Sequence, residues 1–188
     1  AEAGYLARIR EICDRYDVLL LLDEIMAGCG RTGTYFAHEH DGIVPDIVTL
    51  AKGIAGGYQP LAAVIARAPV AECLSASGFA HGHTYIGHAT ACAAGLAVLD
   101  VIEDDGLLEQ TRKRGAELLR EVTAAFGSHP NVGDIRGRGL FLGIELVSDR
   151  TTRAGFADKA LAERLRRAAL DHGLVCYPGS IVVNGATV

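Results

Sequence analysis

The chain has 188 residues, 49% of them hydrophobic and 22% charged, which suits one domain or a domain and a half. Its 18 Lys and Arg against 23 Asp and Glu leave a net charge of −5, which argues against a nucleic-acid or polyanion partner. The five scattered cysteines lack a Cys-x-x-Cys pair, no leader peptide is visible and no apolar run approaches the roughly 20 residues of a membrane span, so a cytoplasmic protein is expected.

Tyr5, Leu6, Ile9, Ile12, Cys13 and Tyr16 recur at helical spacing and predict an amphipathic helix. Val18 to Leu22 is a continuous apolar run, the pattern of a strand buried on both faces of a parallel sheet, and it ends in Asp23-Glu24. Gly28 to Gly33 reads as a loop. Ile47 to Leu50 and Ala62 to Ala66 read as strands on either side of a loop containing Lys52. Thr90 to Ile102 predicts an alanine-rich buried helix, and Leu107 to Phe126 a longer charged one ended by Gly127 and Pro130. The change of character there sets the expected domains at 1–127 and 128–188. Leu140 to Val147 then reads as a strand, Ala157 to His172 as a helix and Leu174 to Tyr177 as a strand. The expected fold is α/β: a mainly parallel sheet with flanking helices, followed by a smaller α+β domain.

Ligands of open α/β sheets sit at the carboxyl ends of strands. Asp23 and Lys52 each follow an expected strand at that edge, so an acid and an amine can face one pocket. Pyridoxal phosphate chemistry needs this pair: a lysine for the cofactor aldehyde and an acid that keeps the pyridine nitrogen protonated. The freed lysine amine can then shuttle a proton as general base and acid. Taken singly, an aspartate after a strand is also a turn former or cap, and a lysine in a glycine-containing loop a solvated charge.

The wider motifs bear on that choice. Asp23-Glu24-Ile25-Met26-Ala27-Gly28-Cys29-Gly30-Arg31-Thr32-Gly33, followed by Pro45-Asp46-Ile47-Val48-Thr49-Leu50-Ala51-Lys52-Gly53, resembles the signature of class III aminotransferases of fold type I. The resemblance continues through Gly56-Gly57-Tyr58-Gln59-Pro60-Leu61, His83-Thr84-Tyr85-Ile86-Gly87-His88 and Arg138 to Glu145. It implies a pyridoxal 5′-phosphate enzyme with Lys52 as the Schiff-base lysine and Asp23 as partner of the pyridine nitrogen. By the same resemblance, Ile25 packs on the ring and Thr84 reaches the phosphate in a neighbouring subunit, so a homodimer with shared active sites is implied. The implied reaction is ping-pong transfer of an amino group from an amino donor to a keto-acid acceptor. A related aminomutase or epimerase, or a cofactor-incompetent dimerising piece, is the alternative.

Two positions depart from the family pattern. Met26 stands where some members have a glutamine, and a thioether is a weak acceptor. Ala89 stands where proline is frequent. The family's phosphate-holding glycine-serine segment, its ring-stacking aromatic and its late substrate-carboxylate arginine have no counterpart here, so the chain resembles a middle-to-late portion of such an enzyme.

Other motifs suggest other chemistries. Gly28 to Gly33 matches G-x-G-x-x-G, but Asp23 and Glu24 would place two carboxylates beside a pyrophosphate, and Thr34-Tyr35-Phe36 does not open a helix. His38 and His40, or His81, His83 and His88, suggest metal ligands, yet histidines alternating in loops are usually polar surface, and no metal is expected. Arg136 and Arg138 could clamp a carboxylate; ordinary ion pairing is the preferred reading.

Overall fold

The computed structural model describes residues 3–158, 160–179, 182–183 and 186–187. The elements in chain order are helix α1 (Tyr5–Tyr16), strands β1 (Leu21–Asp23), β2 (Ile47–Leu50) and β3 (Ala63–Ala66), helices α2 (Ala68–Ser77), α3 (Ala89–Asp104) and α4 (Leu107–Phe126), strands β4 (Val132–Arg138) and β5 (Phe141–Leu146), helix α5 (Leu161–Asp171), and the short strands β6 (Val182–Val183) and β7 (Ala186–Thr187). Two 3-10 turns, Ala37–Asp41 and Lys52–Ala55, lie before β2 and before β3. Among the described residues, no helix is long and apolar enough to cross a membrane.

The chain forms two compact units, Ala1–Ala116 with Arg138–Phe141, and Glu117–Gly137 with Leu142–Val188. The division falls inside α4. The first unit holds a three-stranded sheet of order β1-β2-β3, its core centred on Leu20, Val48, Leu50, Ala55 and Ala91. β1 and β2 are parallel, with Leu21 opposite Ile47 and Asp23 opposite Thr49, whereas β2 and β3 are antiparallel, with Leu50 opposite Ala63. The expected mainly parallel sheet is thus mixed among the described strands. A parallel return needs a crossover, usually a helix. The β2–β3 connection holds only the 3-10 turn Lys52–Ala55, so the chain reverses.

The first strand is shorter than Val18 to Leu22. The Leu20 amide donates to the Asp46 carboxylate at 2.8 Å, so ladder pairing starts one residue later. Asp46 also accepts from Arg10 at 2.7 Å and Arg67 at 3.1 Å, tying α1 and the end of β3 to the start of β2. Nor is the run buried throughout: Leu20 is buried, but Val18, Leu19 and Leu21 are exposed. Helix α3, expected to be buried, buries Ala91 and leaves Leu96 and Val101 exposed.

In the second unit, β4 and β5 form a two-stranded sheet with Val132 and Val147 buried. Residues 174–177, expected as a strand, are irregular. The Leu174 amide closes the end of α5 on the Ala169 carbonyl at 2.8 Å, and Gly173 turns at φ +81°, which leaves no extended start. Helix α5 begins at Leu161 rather than Ala157; residue 159 lies outside the described residues.

Candidate active site

Parallel pairing of β1 and β2 places their carboxyl ends at one sheet edge. Asp23 closes β1 opposite Thr49, and Lys52 follows the last residue of β2 by two positions. Lys52 has φ +50°, a left-handed conformation that is uncommon for a residue with a side chain. Such strain persists where surrounding structure enforces it, and it gathers at functional sites.

Two packing contacts enforce it here. Ala55, at the end of the Lys52 turn, is completely buried. Below Gly53, a Cβ would stand 3.0 Å from the Cys29 Cβ, so the Gly28–Gly33 loop forms the floor of the turn. On the other side, α3 presents Gly95 and Val98 to Leu61 and Gly56. The Lys52 side chain is exposed and lines an open cleft of about 570 Å³ with Gly57, Gln59, Pro60, Leu61 and Ala62. It makes no ion pair among the described residues.

Asp23 is exposed, and its Oδ1 accepts from the Ile25 amide at 3.0 Å. Its Oδ2 has no hydrogen-bond partner among the described residues, so one carboxylate oxygen stands ready for an N–H. Ile25 is half-buried beside it. Thr84 is exposed in a turn between α2 and α3, and of the four expected site residues Lys52 lines the cleft while Asp23, Ile25 and Thr84 do not. Asp23 and Lys52 therefore share an edge, while Thr84 stands on a separate exposed segment.

Glu24 points the other way. It is buried, and its carboxylate accepts from the Ala37 amide at 2.6 Å, the His38 amide at 2.8 Å and His38 Nδ1 at 2.8 Å. In sequence, Glu24 carries no assigned step and His38 reads as polar surface in preference to a metal ligand. A carboxylate at a strand end facing a short helical turn is the signal that was available.

The dinucleotide reading fails on local geometry. The loop spends its backbone groups on itself and its neighbours: Gly30 N–H on the Tyr35 carbonyl, Gly33 N–H on the Gly30 carbonyl, the Arg31 carbonyl on the Leu140 amide. The Gly33 carbonyl accepts from Arg112, and Thr32 is buried. Partial burial pushes the half-buried Cys29 thiol above its usual range. His40 Nε2 lies 3.1 Å from both the Thr32 carbonyl and the Thr34 hydroxyl, which commits it locally. Arg136 pairs with Asp134 at 2.7 Å and approaches Glu145 at 3.5 Å, which accounts for it as an ion pair.

The sequence matches the aminotransferase class-III family over residues 1–183. The chain belongs to the class III aminotransferases. Among curated members of that family, it is 44% identical over 183 residues to an aminotransferase of Gibberella zeae, covering 95% of the chain and 36% of that protein. It is 43% identical to the adenosylmethionine-8-amino-7-oxononanoate aminotransferase of Nitratidesulfovibrio vulgaris, over 96% of the chain and 34% of that protein. A solved (S)-enantioselective omega-transaminase from Thermomicrobium roseum superposes with a TM-score of 0.89 at 39% identity, over 94% of the chain and 40% of its own. An amine transaminase from an uncultivated Pseudomonas species, solved with PLP bound, gives 0.87 at 39% identity, over 94% of the chain and 41% of its own. The α/β fold of class III transaminases is thus shared, and the chain spans about two-fifths or less of the length of these relatives.

Proposed function

We propose that the protein is a pyridoxal 5′-phosphate-dependent aminotransferase of the cytoplasm, moving an amino group from an amine or amino acid to a keto acid by a ping-pong route. The observation that carries this reading is the parallel pairing of β1 and β2, which brings Asp23 and the left-handed, cleft-lining Lys52 to the same end of the sheet. An amine and a carboxylate are the donor set this cofactor requires, so the residues fit it. When bound, the cofactor supplies an electron-withdrawing ring that stabilises negative charge at the substrate α-carbon.

The residues divide the remaining work. Lys52 would hold the cofactor through Nζ, and its free amine would serve as the general base that takes the substrate α-proton and the general acid that returns it. Asp23 accepts the ring N–H on its free oxygen and keeps that proton in place. Ile25 packs on the ring face. Thr84 reaches the phosphate held in a second protomer, which makes the working unit a homodimer. Residues 1–127 are then the later part of the cofactor-binding domain and 128–188 the start of the small domain.

Absorbance with added pyridoxal phosphate, before and after borohydride, tests this on the chain and on Lys52→Ala. A visible band that borohydride fixes on Lys52 and that the variant lacks is expected. Release of free keto product from an amino donor then separates transamination from an aminomutase or epimerase. Absence of any Lys52-dependent band would favour the cofactor-incompetent, dimerising piece.

A further inference from the structure

Resting on the reading of Asp23 as partner of the ring nitrogen, we infer that His38, acting through Glu24, is a positioning residue for Asp23. The two residues are buried and take no part in the mechanism above. Glu24 directly follows Asp23 and is held on every side. Its amide donates to the Thr49 carbonyl of β2 at 3.0 Å, its carbonyl accepts from Gly28 N–H at 2.8 Å, and its carboxylate takes three donors from residues 37 and 38. A carboxylate accepts only, so His38 Nδ1 carries the proton of that bond. The ring is kept in place by Phe36, stacked at 5.2 Å between centroids and 28° between planes.

This clamp fixes the backbone on which the Asp23–Ile25 turn is drawn. Asp23 is exposed and its one side-chain hydrogen bond among the described residues is to the Ile25 amide, so beyond the β1–β2 ladder the carboxylate depends on this turn for its direction. Buried, fully satisfied groups hold geometry that an exposed carboxylate cannot hold alone.

Two substitutions separate the bond from the ring. His38→Phe keeps an aromatic ring on Phe36 and removes the donor. His38→Asn removes the ring and keeps an amide N–H where Nδ1 stands. Hydrogen exchange of the peptide covering residues 20–28, measured on the cofactor-free chain, reports the turn directly. Pyridoxal phosphate affinity, followed through the visible band, reports the carboxylate. His38→Phe should speed exchange there and weaken affinity by about tenfold each, and His38→Asn should recover most of both. The inference is overturned if His38→Phe changes neither quantity, or if both variants lose them equally and in step with melting temperature. If the unmodified chain takes up no cofactor, the functional reading fails; the exchange contrast still decides the role of His38.

Discussion

At the residue scale, Lys52 sets stability against function. A side chain in the left-handed region costs about 1–2 kcal/mol, a penalty glycine escapes. The fold imposes this conformation at φ +50° through Gly53, packed on Cys29, and the buried Ala55. Lys52→Gly should therefore be more stable than Lys52→Ala by about 1 kcal/mol, read from denaturant midpoints, although neither variant carries a reactive amine. Equal midpoints would mean that the turn relaxes once lysine is gone and that the strain is not imposed by the surroundings. The same comparison tests whether Lys52 is held or merely tolerated, which Lys52→Ala alone does not.

At the element scale, close approach outweighs helix propensity. Gly115 is the buried residue of α4, where alanine would ordinarily gain about 1 kcal/mol. A Cβ at Gly115 would run into the backbone of Gly139, whose own position is fixed by φ +57° and by the Arg31–Thr32 backbone beneath it. Backbone cannot yield as a side chain tip does, so the sign reverses. Gly115→Ala should lower stability by about 1–3 kcal/mol, and a rise in melting temperature would refute the contact. Such contacts mark the limit of what was legible in sequence. The β2 strand and α4 were readable to the residue, because apolar runs and caps are local signals. The Asp23 and Lys52 edge was readable for the same reason. Strand β4 was hidden by Gly133 and Gly137, which break its alternation, and α2 by Pro69, taken in isolation from the helix it opens. Leu174 to Tyr177 looked like a strand because propensity cannot say whether a partner exists. The Glu24–His38 pair joins a strand end to a turn 14 residues later, and pairing at that range leaves no periodic trace.

At the scale of the whole first unit, the motif residue Asp46 joins three elements to the start of β2: α1 through Arg10, β1 through Leu20, and β3 through Arg67. The Leu20 amide, then the Arg10 guanidinium, hold its carboxyl below the usual carboxylate range despite burial. The folded chain therefore binds this proton less readily than the unfolded chain does. Its contribution is complete above the unfolded value near pH ~3.9 and is lost as pH falls through the folded value. Asp46→Asn keeps the shape and removes the charge, leaving Arg10, among the described residues, with a carboxylate partner only in the exposed Asp14. At neutral pH the variant should lose about 2–4 kcal/mol, since breaking a buried pair strands the remaining charge. Below pH ~4 the gap between the two proteins should begin to close, because acid removes from the parent what the substitution has already removed. Asp134, Asp149 and Glu163 are also held low by hydrogen bonds, so an acid slope survives in the variant, only shallower. Urea unfolding at several pH values between 3 and 7 reads both parts. A constant gap between the two curves across that range would show that Asp46 acts through shape and not through charge.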